Sequence, residues 1–447
     1  MKILENNHLV LHDVDLVGLC ERFGTPLFVF DEADIIENFQ RFHRAFENSY
    51  GKIIICYSVK TNNNLAICSL LNSLGAYAEV SSELDLFAAL KAGFPGKKIV
   101  YDGPFKPTEA LRKALKEEIL LFNVESFKEL EDLNSCAREM GRVQAVGLRV
   151  SPPERPGFFD LRRRAKNLIE EAGYCYPSYR FGFSLEQTYE ALKRLGSLRN
   201  LRLECLMVHP YSKALNVLLP LLKEVTDNLR FDIRYLNLGG GFEPGVTGYN
   251  GDIPLIMDFV KRKMGLKSSL DRMRSVPSIE SIAESITTSL RRSLADLKEP
   301  TLIMEPGRFV VGPSGLLLLK VDHTKIAGGY KWVVVDGGTN VLPSISERRT
   351  VLIANNARES RKELVNIVGP LLYPKDFVAI KTVISKVQEN DIVVVTDCGA
   401  YSLSSSTQFL YPRPAAVLIT SNGKTEVIRE RETFDDVLSK NRLQSLG

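Results

Sequence analysis

The chain has 447 residues, of which 44% are hydrophobic and 25% charged, and its formal net charge is +4. This length predicts two domains with ample core, and the small net charge gives no support for a nucleic-acid partner. Seven scattered cysteines without a Cys-x-x-Cys pair favour reduced thiols over a disulfide framework or a metal site. The sequence shows no signal segment and no apolar run of membrane-spanning length. We therefore expect a soluble, cytoplasmic protein with no membrane partner.

The first 30 residues predict a short strand, an amphipathic helix from Leu16 to Phe23 and a second strand from Pro26 to Phe30. Apolar strands then alternate with helical stretches such as Leu65–Leu74 and Thr108–Lys116. We count eight strands, near 53–59, 76–81, 98–102, 119–125, 143–150, 201–208, 233–238 and 301–305. Eight such strands predict a (β/α)8 TIM-like barrel over residues 31–308, with a doubly wound open sheet as the alternative.

From residue 309 to 447 the helical periodicity disappears and short strands follow one another. They are separated by turn signals, including Gly328-Gly329 and Ser421-Asn422-Gly423-Lys424. This stretch predicts a separate C-terminal antiparallel β domain, either a sandwich or a barrel.

In such a barrel, functional groups gather where the strands end at the C-terminal face. The apolar run Ile53–Val59 leads directly to Lys60. A lysine in a partly dry site loses its proton readily and attacks carbonyl groups, as Schiff-base lysines do. The alternative is a lysine that extends from the strand end into water.

Three further strand ends carry polar or glycine-rich segments. Gly239-Gly240-Gly241 offers backbone N–H groups suited to a phosphate, although three glycines also suit a tight turn. Glu305 could hold a protonated ring nitrogen or act as an ordinary ion-pair partner. His209 could stack on a planar cofactor or be a structural histidine. Together with Lys60, these groups indicate pyridoxal 5'-phosphate.

The sequence also resembles the fold-type III pyridoxal-phosphate decarboxylases, the group that includes diaminopimelate, ornithine and arginine decarboxylases. The resemblance rests on motifs in the same order along the chain: Gly24-Thr25-Pro26-Leu27-Phe28-Val29, Tyr57-Ser58-Val59-Lys60-Thr61-Asn62, Ala78-Glu79-Val80-Ser81-Ser82-Glu83-Leu84, Arg180-Phe181-Gly182, Leu238-Gly239-Gly240-Gly241-Phe242, Glu305-Pro306-Gly307-Arg308, Val335-Asp336-Gly337-Gly338, Gly399-Ala400-Tyr401 and Tyr411-Pro412-Arg413-Pro414.

This resemblance implies a role for each matching position. Lys60 would bind the cofactor covalently, Glu305 would pair with its ring nitrogen, and His209 would stack on its ring. The remaining cofactor-binding positions would be Glu79, Ser212, Gly239, Gly240, Gly241, Gly307, Arg308 and Tyr401. The resemblance also implies that the N-terminal strand joins the β domain, and that two copies form a homodimer with shared active sites.

The chain departs from that family at two sites that would face the substrate. Leu372 stands where the family carries a cysteine that donates a proton, so the donor becomes Tyr373, Lys60 or a water molecule. Leu342 and Ile345 replace polar residues that serve the distal end of diaminopimelate. We therefore expect decarboxylation of an amino acid or amino-acid conjugate other than standard diaminopimelate.

Three alternatives stay open at this point. A racemase of the same cofactor class would need a second acid–base group, for which Tyr373 is the candidate. A cofactor-binding pseudoenzyme that acts as a regulatory partner would account for Leu372. The basic run Arg162-Arg163-Arg164 is either a solvated helix face or a receiver for an acidic substrate tail or a carrier protein.

Overall fold

In the computed structural model, the described residues are 1–3, 7–152, 180–244, 277–294, 298–343, 349–359 and 361–444. They form twenty strands: β1 Lys2–Ile3, β2 Leu9–Leu11, β3 Val14–Asp15, β4 Leu27–Asp31, β5 Ile53–Ser58, β6 Tyr77–Val80, β7 Ile99–Tyr101, β8 Leu121–Val124, β9 Gln144–Arg149, β10 Leu201–Met207, β11 Tyr235–Asn237, β12 Thr301–Met304, β13 Gly315–Ala327, β14 Tyr330–Val335, β15 Val351–Ile353, β16 Lys362–Val368, β17 Phe377–Ser385, β18 Ile392–Val395, β19 Ala415–Ile419 and β20 Thr425–Arg429.

The same residues form eleven α-helices: α1 Leu16–Phe23, α2 Glu32–Ser49, α3 Leu65–Ser73, α4 Glu83–Lys91, α5 Thr108–Lys116, α6 Phe127–Glu139, α7 Leu185–Leu195, α8 Tyr211–Asp227, α9 Ile279–Ser293, α10 Arg308–Val311 and α11 Phe434–Leu438. None of these described helices is both long and apolar enough to cross a bilayer.

The described residues divide into two compact units. The first, here called the barrel unit, comprises 42–242 and 279–307. The second, the β unit, comprises the described residues of 1–41, 243–278 and 308–447.

Strands β5 to β12 close into a parallel barrel in which β12 pairs with β5. All eight strands expected from the sequence are present within a few residues of their predicted limits, so the barrel prediction is confirmed. A buried apolar cluster takes one side chain from each of six barrel strands: Cys56, Val100, Leu121, Ala145, Cys205 and Ile303. This packed interior leaves the strand ends as the place for polar chemistry.

Four helices of the barrel unit have side-chain caps at their N-termini. Asn64, Ser82, Ser126 and Ser184 each accept a backbone N–H in the first turn of α3, α4, α6 and α7. A side-chain cap satisfies an N–H group that the helix itself leaves unpaired. After β6 and β8 the capped helices begin at Glu83 and Phe127, directly behind strands that end at Val80 and Val124, which keeps these two loops short.

In the β unit, the main sheet has the order β17-β16-β14-β13-β4-β19-β20, and β18 pairs with β13 and β15. The N-terminal strand β4 lies between β13, to which it is antiparallel, and β19, to which it is parallel. Most pairs are antiparallel, as expected, but β14 and β16 are also parallel. The sequence patterns did not predict β15 or β20.

Candidate active site

Polar side chains from all eight barrel strands meet at the carboxyl ends. The set consists of Ser58 at the end of β5 and Lys60 after it, Glu79 on β6 and Ser81 after it, Asp102 after β7, Asn123 on β8 and Glu125 after it, Arg149 at the end of β9, His209 after β10, Asn237 at the end of β11 together with the backbone of Gly239–Gly241, and Glu305 after β12. Strand β5 ends at Ser58, so Lys60 sits two residues beyond it in a single 3-10 turn, Val59–Thr61.

Lys60 and Glu79 form the closest charged pair of this site. Nζ of Lys60 donates to Oε1 and Oε2 of Glu79 at 2.9 and 2.7 Å, and to Oγ of Ser81 at 2.9 Å. The hydroxyl groups of Ser58 and Ser81 also donate to the Glu79 carboxylate. Burial by itself would raise the pKa of Glu79, but the Lys60 ammonium and these hydroxyls hold it below its usual value. Glu79 therefore stays ionised and orients the amine.

Glu305 is a buried acid of the opposite kind. Its Oε1 accepts a hydrogen bond of 2.6 Å from the Asn237 amide, and within the described residues no cation lies within ion-pair distance of its carboxyl group. Burial, followed by the charges of Asp102 and Glu79, raises the pKa of Glu305 well above its usual value. The surroundings of Glu305 therefore disfavour its charged form until a cationic group approaches it.

The backbone of the glycine run after β11 is hydrogen-bonded to side chains at the barrel mouth. The N–H of Gly239 donates to Oδ1 of Asn237 at 2.8 Å, and the N–H of Gly240 donates to Nδ1 of His209 at 3.0 Å. A Cβ at Gly240 would lie 2.7 Å from the backbone oxygen of Glu305. Two of the three N–H groups expected to face a phosphate are thus already used, and Gly241 is the one with no acceptor among the described residues.

His209 lies at the exposed mouth of the barrel. Desolvation of the imidazole by the surrounding protein, followed by the charges of Arg149 and Lys60, lowers the pKa of His209 to about 4. The imidazole is therefore neutral at physiological pH, and its Nδ1 acts as an acceptor.

Several side chains of this mouth were not among the predicted site residues, and three of them make contacts that shape the site. Asn237 holds Glu305, Asn123 donates to Oδ1 of Asp102 at 2.6 Å, and Arg149 pairs with Glu125 at 3.2 Å. Arg149 is the last residue of a strand that the sequence predicted, so reading strand ends alone could have found it. The partners of the two asparagines depend on barrel closure.

The remaining predicted cofactor residues lie in different settings. Ser212 is exposed in the first turn of α8. Gly307 packs so closely on Thr61 that a Cβ would lie 2.0 Å from its hydroxyl oxygen. In the β unit, the Arg308 guanidinium lies 5.1 Å from the centre of the Tyr401 ring.

Leu372 and Tyr373 stand on a tightly anchored loop of the β unit. The buried carboxylate of Asp376 accepts the N–H of Leu371 at 2.8 Å and the N–H of Thr339 at 2.7 Å. Leu372 is 95% exposed and Tyr373 is 45% exposed. The loop thus presents both side chains outward.

Other sequence expectations can be placed briefly. Leu342 is fully buried, while Ile345 and Arg162-Arg163-Arg164 lie outside the described residues. Cys398 is buried too, and burial raises the pKa of its thiol to about 12, which makes it a poor proton donor or nucleophile at neutral pH.

The barrel mouth fits pyridoxal 5'-phosphate, the group that the resemblance implies. Lys60 supplies an amine. Among the described residues, Glu305 is a buried acid with no cation at ion-pair distance, and the N–H of Gly241 has no acceptor. A cationic ring nitrogen is the partner that would ionise Glu305.

Known proteins resemble this chain over nearly its whole length. Residues 32–312 match the family model described as "Pyridoxal-dependent decarboxylase, pyridoxal binding domain". Diaminopimelate decarboxylase of Aquifex aeolicus is 31% identical over 97% of this chain and 95% of its own, and that of Methanocaldococcus jannaschii is 29% identical over 98% and 95%. The crystal structure of diaminopimelate decarboxylase from M. jannaschii superposes with a TM-score of 0.83 at 27% identity, covering 99% of this chain and 98% of that one.

Proposed function

Because the chain belongs to the pyridoxal-dependent decarboxylase family, we propose that it removes the α-carboxylate of an amino acid whose distal end differs from that of diaminopimelate. The family makes it a carboxy-lyase that uses pyridoxal 5'-phosphate. The observation that carries the site assignment is the Lys60–Glu79 pair, which lies at the same strand ends as Glu305.

The bound cofactor supplies an acceptor for the electron pair left at Cα when carbon dioxide departs. The protein contributes binding, orientation and charge. Glu79 and Ser81 hold the Lys60 amine at the mouth of the barrel. Glu305 supplies the anion for a protonated ring nitrogen, and Asn237 fixes the orientation of that carboxyl group. His209 offers a neutral ring face, since its pKa is about 4.

The substrate proposal rests on Leu342. Relatives of 26–31% identity are named diaminopimelate decarboxylase, and the M. jannaschii enzyme has been crystallised with L-lysine. At the position where the resemblance places recognition of the distal end, this chain has Leu342, whose apolar side chain offers no polar group to a second amino-acid head and is fully buried. An amino acid with a neutral or conjugated distal end suits this position better.

Two measurements test the assignment. The purified protein should show the absorbance of a lysine-bound pyridoxal cofactor, and Lys60→Ala should lose it. Release of labelled carbon dioxide from a panel of carboxyl-labelled amino acids should be largest for a substrate other than meso-diaminopimelate. A clear preference for meso-diaminopimelate would overturn the substrate proposal, and an absence of release from every member would overturn decarboxylation.

We also propose that the working unit is a homodimer with shared sites. The Tyr373 and Phe409 rings meet edge to face at 6.5 Å, and their neighbours in the chain, Leu372, Leu410 and Tyr411, are also exposed apolar residues. Contiguous exposed apolar surface of this kind marks an interaction site. A second copy of the chain is the proposed occupant.

Subunit mixing tests this arrangement. Lys60→Ala and Tyr373→Ala should each be inactive alone. A mixture should regain activity, because a mixed dimer can assemble one intact site. A mixture that stays inactive although light scattering shows exchange of subunits would contradict shared sites. Leu372→Asp should weaken the dimer, whereas Leu443→Asp, at a residue that is 99% exposed elsewhere in the β unit, should not.

The basic run Arg162-Arg163-Arg164 remains part of the substrate proposal, as a receiver for an acidic substrate tail or a carrier protein. Reversing these three charges should then raise KM for the true substrate, and an unchanged KM would remove that role.

A cytoplasmic location is proposed as well, in keeping with six buried cysteines that are free thiols in the described part of the chain.

A further inference from the structure

Lys106 is a buried ammonium that the site described above does not use. It follows β7, and no part of its side chain is exposed. Its Nζ donates to the backbone oxygen of Gly103 at 2.7 Å, to the backbone oxygen of Asn123 at 3.0 Å and to Oε1 of Glu129 at 2.6 Å. A lysine ammonium has three N–H donors, so each of them has an acceptor. The fully satisfied ammonium joins the loop after β7 to the end of β8 and the first turn of α6.

One arm of this cluster leads to Arg149. The other oxygen of Glu129, Oε2, accepts the backbone N–H of Glu125 at 3.0 Å. The Glu125 carboxylate in turn pairs with Nη1 of Arg149 at 3.2 Å. The Arg149 guanidinium also covers the Phe181 ring at 4.9 Å. These contacts fix Arg149 at the barrel mouth.

A second arm leads to Asp102. The backbone oxygen of Asn123 accepts a hydrogen bond from Lys106, and the side-chain amide of Asn123 donates to Oδ1 of Asp102 at 2.6 Å. Asp102 follows β7 directly, and Gly103, which also accepts from Lys106, is the next residue. Both arms therefore run from one buried nitrogen to charged groups at the carboxyl ends of the strands.

We propose that Lys106 is a positioning residue for the reaction: through Glu129 and Glu125 it holds Arg149, and through Asn123 it holds Asp102, in the places that the barrel mouth requires. The inference rests on the proposed assignment of the barrel mouth as the active site. Lys106 itself touches neither substrate nor cofactor. Its effect is geometric, because a displacement of about 1 Å far from the reacting atoms can lower a rate about 100-fold.

The experiment compares Lys106→Met with the double variant Lys106→Met/Glu129→Met. The single variant leaves the Glu129 carboxyl buried without its cation, so it should unfold at a lower temperature than the wild type. The double variant removes both charges and should regain much of that stability, since a well-packed apolar pair often replaces a buried ion pair at little cost. Lys128→Met makes the same side-chain change at an exposed lysine of α6 and serves as the control.

Two readouts separate positioning from mere folding. In cofactor-free protein, the NMR titration midpoint of His209 should move upward from about 4 in both Lys106 variants, because Arg149, one of the two cations that lower this pKa, is no longer held in place. With cofactor and substrate, kcat/KM should fall at least about 10-fold in both, although the double variant is stable. Lys128→Met should change neither quantity.

Recovery of kcat/KM and of the His209 midpoint together with stability in the double variant would show a purely structural lysine and overturn the proposal. An unchanged His209 midpoint in both variants would overturn it as well. Failure of the wild type to release carbon dioxide from any substrate would count against the proposed function instead, and the His209 titration would still decide the role of Lys106.

Discussion

The backbone N–H of Gly240 donates a hydrogen bond of 3.0 Å to Nδ1 of His209. An imidazole nitrogen that accepts a hydrogen bond carries no proton, so the proton of the neutral ring is on Nε2. Protonation of Nδ1 would break this bond and place a third cation beside Arg149 and Lys60. The geometry therefore favours the neutral ring, in agreement with a pKa of about 4.

The first prediction concerns the titration of His209. We expect an NMR midpoint near 4 and a nitrogen spectrum in which Nε2 carries the proton, with His209→Gln used to assign the signals. The folded protein binds this proton less readily than the unfolded chain, whose histidine has its ordinary pKa of about 6.5. The contribution of His209 to the free energy of unfolding is therefore complete above pH 6.5 and is lost as the pH falls through the folded midpoint near 4.

The same variant provides the stability control. His209→Gln should make the free energy of unfolding less dependent on pH between about 6.5 and 4. A wild-type midpoint close to 6.5, or a proton on Nδ1, would contradict the arrangement.

The second prediction concerns Gly240→Ala. The new Cβ would lie 2.7 Å from the backbone oxygen of Glu305 and 3.4 Å from the His209 ring, and a backbone carbonyl cannot swing aside. We expect a loss of about 1–3 kcal/mol in the free energy of unfolding, together with weaker binding of pyridoxal phosphate measured by absorbance titration. Gly18 lies in α1, and a Cβ added there would be 3.7 Å from its nearest neighbour. Gly18→Ala should therefore be neutral or stabilising. Normal stability and cofactor affinity in Gly240→Ala would show that the run tolerates side chains.

The third prediction separates stability from activity at Glu305. Burial, with Asp102 and Glu79, raises the pKa of this acid well above its ordinary value. Without cofactor, its contribution to the free energy of unfolding is complete below the unfolded pKa of about 4.3 and is lost as the pH rises through the folded pKa. Glu305→Gln has no charge to bury, so it should gain stability over the cofactor-free wild type as the pH is raised.

With cofactor the order should reverse. The amide cannot supply an anion for a protonated ring nitrogen, so kcat should fall about 100-fold or more. Glu299→Gln, at a partly exposed carboxylate paired with Lys52, should leave kcat unchanged. Full activity in Glu305→Gln would assign the ring nitrogen to another partner.

The barrel could be predicted from the sequence because each strand is a short apolar run followed by a helical repeat. In β5 the β-branched run Ile53-Ile54-Ile55 favours a strand, and this local preference does not depend on how the barrel closes. The position of β4 between β13 and β19 has no local signal, because its partners are remote in sequence, and only the family resemblance suggested it. β15 has three residues, too few for an alternating pattern to be recognised.

The site was predictable in its residue types but less so in its contacts. Lys60, Glu79 and Glu305 follow from reading the strand ends. The glycine run also follows, but its local pattern says only that N–H groups are accessible. The hydrogen bond from Gly240 to His209 depends on the neighbouring strand, whereas the bond from Gly239 to Asn237 joins residues only two apart. Lys106 gave no sequence signal at all, since burial of a lysine after a strand depends on the loops that close over it.

The last prediction concerns the proton that replaces the lost carboxylate. The loop anchored by Asp376 presents Leu372, which has no acidic hydrogen, next to Tyr373, whose side chain is exposed. If the phenol donates the proton to Cα, Tyr373→Phe should lower kcat about 100-fold while KM changes little, because only the hydroxyl group is lost. Tyr411→Phe removes a hydroxyl from the same apolar surface and should leave kcat unchanged. Leu372→Cys in the Tyr373→Phe background places a thiol on the same loop and should restore part of the rate. Wild-type kcat in Tyr373→Phe would exclude the phenol and leave Lys60 or a water molecule as the donor.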